Sequence, residues 1–459
     1  MSRINKIIKS GVFLFLFYST VVSFGADINS LLSEYNRKND LSQKTIDENK
    51  GHLILFTREK LEKMHARTLK DVFKTTPVVY YHENRTALPD PLTSGAFEPY
   101  RSNFIRLYVD GVEVTQGWMG SGLMLYGDVN IDFVDHIEFY YMIPSFDTSV
   151  EPAYLTIFLY SKTPERDSGG SMSLRQGSRG SNAQSISYGE EREGLSYMIN
   201  FSHADAKRET INNGTSTPLS RDFERTQLFS YVKTEDQIFH LQVLKKNTDS
   251  LAGMSWDATP LSSEIDYLNL HMDYGVDLDE HWRAQFAYDW LKTDMAQADE
   301  FALNWPDALG SDTFNGVYKN STYSAELTYR EKIGDNRITA GIKGRYKKLD
   351  SFEEDGLDAL VTSFTSEEIA TAFFQDQYAL TDRQLLTLGI SYNQISRNGE
   401  TEDDSLLQLR LGYIYTSEHW SYKGYLYRTQ FALEPFMRYL YGTDPAYQDV
   451  EPQTTLGIT

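Results

Sequence analysis

From residue 170 onward the chain is written in steps of two. Leu195, Tyr197, Ile199 and Phe201 alternate with Ser196, Met198, Asn200 and Ser202. Trp282, Ala284, Phe286, Tyr288 and Trp290 alternate with Arg283, Gln285, Ala287 and Asp289. The same holds from Leu386 to Asn393 and from Leu407 to Tyr415. Side chains leave a strand on opposite faces in turn, so this pattern demands strands with one apolar and one polar face. On the order of a dozen such strands of roughly ten residues each fit the stretch. Short connections (233–237, 277–280, 333–336, 380–383) alternate with long ones (204–223, 293–321, 349–367, 397–404), as the two ends of a membrane barrel require. A soluble sandwich also alternates, but seldom strings so many long hairpins together.

The apolar parity is the candidate lipid face, and Arg283, Asp289, Glu326 and Arg410 fall on the other parity. A negative mean hydropathy argues against a helical membrane bundle. It is compatible with a barrel, whose strands show lipid only alternate residues. The 31 Tyr and 25 Phe match the aromatic girdles at a barrel's two interfaces. There are no cysteines, so an exported chain draws stability from elsewhere than disulfides. A formal net charge of -21 argues against nucleic acid as a partner.

The N-terminus has the order of a secretory signal. Arg3, Lys6 and Lys9 precede an apolar run, Gly11 to Val22, and small residues end at Ala26. Residues 27–50 are polar and read as a periplasmic lead-in. A compact α+β unit is expected next, at 51–165. His52 to Phe56 reads as a strand, Thr57 as a helix cap, and Thr68 to Asp71 as a capping box that opens a second helix, which Pro77 stops. Asp110-Gly111 between Ile105 to Val109 and Val112 to Val114 is a hairpin signal. The barrel takes 166–459. A wall of that many strands encloses a wide lumen unless something fills it, and the unit ahead of it is of the right size. The expected fold is a transmembrane antiparallel β-barrel with an N-terminal α+β plug domain inside the lumen.

Several stretches resemble the TonB-dependent outer-membrane receptor family. Thr57-Arg58-Glu59-Lys60-Leu61 through Arg67-Thr68-Leu69-Lys70-Asp71-Val72 and Pro77 looks like the opening of that family's plug. Tyr108-Val109-Asp110-Gly111-Val112 looks like its central hairpin, and Asp132 to Glu138 like its acidic and apolar run. Asp449 to Thr454 resembles a strand opening common in its barrels. The resemblance implies a bacterial outer-membrane receptor for uptake of a small scarce ligand of the iron-siderophore, haem or cobalamin class. It implies outer-membrane lipid and a TonB-type energy-coupling protein in the periplasm as partners. It also implies strands beyond Thr459, since the family's barrel has 22, with a naturally smaller barrel as the alternative. Two departures stand out. Leu107, not glycine, follows Arg106, and Tyr140-Tyr141-Met142 stands where the family carries its arginine-glycine turn. The alternative is therefore a receptor-like outer-membrane barrel, binding or structural, without energised transport.

No Walker loop, HExxH, Gly-x-Ser-x-Gly or CxxC occurs, so no catalytic residue, metal site or cofactor is expected. The scattered histidines read as structural. Ligand contact is expected on two plug loops, 81–101 and 116–126, taken as facing outward. Their aromatic and charged residues His82, Glu83, Arg85, Tyr100, Arg101, Trp118 and Met119 are the candidates. Acidic residues 299, 300, 353–355 and 402–404 are placed in long loops as solvated charge.

Overall fold

The computed structural model describes residues 53–458, apart from 78, 84–87, 94–103, 143, 149, 209, 211–219, 250–259, 300–312, 355–363, 399–402, 418–420, 433 and 436–452. The signal and lead-in segments expected at 1–50, and candidates Arg85, Tyr100 and Arg101, lie outside the described residues. No helix among the described residues is long and apolar enough to cross a membrane.

The N-terminal unit opens with β1 (Leu53–Phe56). Thr57 then caps α1 (Arg58–Lys63), its hydroxyl accepting from Lys60 N at 3.3 Å. The expected capping box opens α2 (Leu69–Phe73), with Thr68 N donating to Asp71 Oδ2 at 3.0 Å. Short β2 (Val79–Tyr80) and β3 (Leu92–Thr93) pair with each other. The hairpin forms as read, β4 (Ile105–Val109) and β5 (Val112–Val114). Asp110 and Gly111 take φ of 50° and 87°, the left-handed pair that a two-residue hairpin turn requires. The stretch expected as a plain loop at 116–126 instead ends in a helical turn, α3 (Leu123–Tyr126), wholly buried. β6 (Val134–Tyr141) and β7 (Leu155–Ser161) complete a five-stranded sheet, order β1-β6-β7-β4-β5, in which only β4 and β7 run parallel.

A last short helix, α4 (Pro164–Asp167), leads into fourteen antiparallel strands, each paired with the next in sequence. They are β8 (Gly169–Gln176), β9 (Asn182–Arg192), β10 (Leu195–Ala206), β11 (Phe223–Lys233), β12 (Gln237–Asp249), β13 (Pro260–Asp277) and β14 (Trp282–Asp299). Then come β15 (Thr313–Ile333), β16 (Asn336–Glu354), β17 (Ser366–Thr381), β18 (Gln384–Arg397), β19 (Asp404–Thr416), β20 (Ser421–Phe431) and β21 (Gln453–Ile458). Several far exceed ten residues, β15 reaching 21. The apolar–polar alternation fades before the ends of these strands. The structure carries the pairing past that point, because backbone hydrogen bonds do not need an apolar face. Asp299, Glu353, Glu354 and Asp404, expected in loops, are therefore strand-end residues.

The two faces of this sheet are sorted as the alternation predicts. Ile199, Phe201, Phe286, Ile342, Leu388, Ile390, Leu411 and Leu426 point outward and exposed. Asn200, Ser202, His271, Asp289, Lys343, Ser391, Asn393, Gln408 and Arg410 point inward and are buried. An apolar skin over a polar interior inverts the order that water imposes and matches what lipid imposes. Phe286 is 53% exposed and Trp282 38%, so neither packs into a dry core.

The strands curl round the N-terminal unit, which touches nearly all of them. Asp132 takes Arg175 of β8 at 2.7 Å. The Phe133 ring stacks on Phe229 of β11 at 4.3 Å. Tyr126 donates to Asn269 of β13 at 2.7 Å, and Gly117 N to Asn320 of β15 at 2.9 Å. Asn393 of β18 donates to Val150 O at 2.6 Å, and Phe104 meets Phe431 of β20 at 5.3 Å. The unit is a plug, and the lumen is filled.

Candidate functional site

The plug meets the wall through both apolar clusters and buried ion groups. Toward β10–β14 its core runs on into Met198, Phe229, Tyr231, Leu244, Ile265, Tyr267 and Leu291 of the wall. Toward β16–β18 the seam is charged. Arg345 of β16 bridges Glu113 (2.8 Å) and Glu151 of the plug. Lys347, two residues on and so on the same face, sends one ammonium to Glu151 (2.6 Å), Glu367 (2.9 Å) and Glu434 (2.9 Å). Arg106 of β4 closes the group on Glu434 at 2.6 Å, and Arg397 of β18 takes Glu367 at 2.7 Å. All eight of these side chains are buried. Glu434 comes from the connection after β20, and Gly120 (φ 72°) lies against it so closely that a Cβ would collide with the carboxyl. Glu151, Glu367 and Glu434 bring carboxylate oxygens within 4.8 Å of one another, the spacing of a cation cage. Lys347 already supplies the cation. None of these pairs is legible in the sequence, where Arg345 and Lys347 show only as charges at inward parity in a strand.

The wall's connections define two ends. Segments 193–194, 234–236, 278–281, 334–335 and 382–383 are tight, whereas the strand ends at Ala206, Asp249, Asp299 and Glu354 are separated from the next strand by wide intervals of sequence and mark the other end. The plug hairpin's Asp110-Gly111 turn sits at the tight end, where Asp110 faces His240 of β12. Beside it the plug and wall leave a cavity lined by Asp110, Glu138, Tyr140, Tyr160, Arg283 and Glu326.

At the long-loop end Glu83 accepts from Arg208 at 2.7 Å, pairs with Lys70, and lies 3.5 Å from Arg221. Tyr81 OH adds a donor at 3.2 Å. Burial alone would push the Glu83 carboxyl up, but the Arg208 hydrogen bond and the Lys70 charge hold it well below the carboxylate range. Three cations thus converge on one anion, with Asp222 accepting from Arg208 N at 2.8 Å beside them. His82 is 3.7 Å from Asp90 and stacks beside Tyr80.

The second candidate loop is not outward. Met119 is 8% exposed and belongs to the plug core, and Trp118 is half-buried against it. Thr115 and Gly117 donate their backbone N–H groups to Asp289 and Asn320 of the wall, which draws the loop inward. The hydrophobic character that made Trp118 and Met119 look like ligand anchors is used for packing.

Glu83 gives a direct test of the mouth. Glu83→Gln removes the negative charge that Arg208, Arg221 and Lys70 share. A hydrogen bond to a charged group contributes about 1.5–3 kcal/mol, so trypsin cleavage after Arg208 and Arg221 should accelerate about tenfold or more. An unchanged cleavage rate means Glu83 does not hold that connection.

No protein-family model and no curated protein sequence matches the chain. Solved structures do. The copper transporter OprC superposes with a TM-score of 0.66 at 13% identity, over 88% of this chain and 68% of that one. The FrpB iron transporter of Neisseria meningitidis gives 0.64 at 12% identity, over 84% and 66%. The siderophore receptor PiuA of Acinetobacter baumannii gives 0.60 at 11%, over 89% and 69%. The chain spans about two thirds of the length of these proteins. Its fold is that of the TonB-dependent β-barrel receptors, a plug followed by a barrel wall.

Proposed function

We propose that the chain is a bacterial outer-membrane receptor of the TonB-dependent type, a transport protein and not an enzyme, that takes up a small scarce ligand. The observation that carries this reading is the inverted sheet, apolar outside and polar inside, closed by a plug whose seam with β16–β18 is ionic. A seam of paired charges can part and be wetted, since water replaces lost partners, whereas a greasy seam cannot. Ligand enters at His82 and Glu83, together with Arg85, Tyr100 and Arg101 of the same loop, and passes along the ionic seam. The iron-siderophore, haem and cobalamin classes are the substrates to try first. Coupling would come from a TonB-type periplasmic protein acting on the plug.

The second reading is a receptor-like barrel that binds without energised transport. Arg106 favours it: followed by Leu107 and locked to Glu434 at 2.6 Å, it ties plug to wall where a moving plug would have to let go. Cells carrying the chain are offered labelled ferric siderophore, haem and cobalamin, with and without a protonophore. Uptake that stops with the protonophore supports the first reading. Binding with no uptake selects the second. Uptake indifferent to the protonophore overturns the energised mechanism.

A further inference from the structure

Five ionisable side chains form a second line along the wall, which meets the ionic seam where Arg345 acts on Asp289. They are Asp289 on β14, His271 and Asp273 on β13, His240 on β12 and Asp110 at the plug's hairpin turn. Asp289 Oδ1 is 2.7 Å from His271 Nδ1, and His271 Nε2 is 3.3 Å from Asp273 Oδ2. Asp273 Oδ1 is 2.8 Å from His240 Nδ1, and His240 Nε2 is 3.4 Å from Asp110 Oδ2. Strand register builds the line, since His240 stands opposite Asp273 and His271 opposite Asp289. Both ends reach the plug. Thr115 N donates to Asp289 at 3.4 Å, and Ser161 N donates to Asp110 Oδ1 at 2.7 Å.

Each imidazole has a carboxylate at both ring nitrogens, and both rings are buried, at 2% and 0% exposure. A neutral imidazole donates from one nitrogen and accepts at the other. Its accepting nitrogen would face the lone pairs of a carboxylate oxygen. With the carboxyls ionised, only the imidazolium, a donor at both nitrogens, makes both contacts attractive. The other groups nearby do not replace it. Tyr231 of β11 presents its ring edge-on to His240 at 5.8 Å, and Phe229 lies at 6.4 Å. Arg345 of β16 acts on Asp289, the end of the line farthest from His240, and the Tyr126 hydroxyl donates to Asn269 of β13.

We propose that this line is a proton-dependent pin, in which the His240 and His271 imidazolium ions hold the plug's central turn against β12–β14. When the turn withdraws, Asp110 leaves His240 Nε2, and that nitrogen's proton is lost to solvent. A docked plug then binds more protons than a withdrawn one, so docking weakens as pH rises through the imidazolium range. The inference uses no transport step and stands whether or not the chain moves a ligand.

The chain has no cysteine, so one introduced thiol is a unique reporter. Val112, next to the turn and 7% exposed, becomes Val112→Cys, and the exposed Ser178→Cys serves as reference for the reagent's own pH dependence. Labelling of the full chain in outer-membrane fragments by a methanethiosulfonate reagent is followed from about pH 6 to about pH 10, spanning imidazolium titration. The ratio of Val112→Cys to Ser178→Cys labelling should rise about tenfold or more, the scale of one charge-assisted contact. In Asp110→Asn, which leaves both histidines in place and suits a left-handed turn position, the ratio should be high and flat. His240→Gln should behave alike, and if it fails to assemble, Asp110→Asn decides alone. A flat ratio in the parent, or the full rise persisting in Asp110→Asn, overturns the pin.

Discussion

Replacing Lys347 by methionine is expected to cost about 3–5 kcal/mol of plug–wall stability, the usual penalty for removing one partner of a buried ion group. The ammonium lies within 2.9 Å of Glu151, Glu367 and Glu434, so its loss leaves three buried carboxylates facing one another. Thermal unfolding of the full chain in detergent, followed by calorimetry, would show the plug transition falling well below that of the parent. A shift within about 0.5 kcal/mol, typical of an unimportant surface site, would mean that the seam contributes nothing to docking.

The companion variant should move the other way. Burial first, and then the charge of Glu151, hold the Glu434 carboxyl above its ordinary range, against Lys347 and Arg106. A carboxyl raised on folding contributes stability below its unfolded value and loses that contribution as pH rises through the folded one. At neutral pH its ionisation therefore costs stability. Glu434→Gln should be neutral or slightly stabilising, and Lys347→Met combined with Glu434→Gln should recover part of the single variant's loss. Additive effects in this pair would contradict the shared site, since contacting residues couple.

The second large effect concerns the skin. Ile390 lies mid-strand in β18, outward and 44% exposed. If that face meets lipid, Ile390→Arg places a charge near the bilayer midplane at a cost of about 2–4 kcal/mol. Assembly into membranes should drop sharply, read as loss of the heat-modifiable folded band. On a water-facing surface the same change would be harmless or helpful to solubility. Ile390→Leu is the control and should assemble normally. Equal assembly of the Arg variant would remove the membrane reading of the sheet.

These two tests mark the divide between what was legible in the sequence and what was not. The Ile390 side of the argument is visible in Leu386 to Asn393, because the parity of a strand is local and any eight residues display it. The hairpin at Asp110-Gly111 and the caps at Thr57 and Thr68 are legible for the same reason, since each involves neighbours within four positions. Strand ends were misjudged where polar residues continue a ladder that side-chain pattern no longer signals, as in β15. The packing of Met119 and Trp118 is not legible in the sequence, because aromatic and sulfur side chains look alike whether they await a ligand or fill a core.

The sequence by itself determined the fold class: a period of two, kept over hundreds of residues, admits a two-faced sheet and little else. Which face takes lipid followed once a unit of plug size stood ahead of it. Only the tertiary structure decided the partners. Arg106 and Glu434 lie 328 positions apart, and His240 meets Asp110 only because the wall curves back past the hairpin turn. Ion pairing depends on distance in space, falling off over a few ångströms. That distance comes into being only when the wall wraps the plug.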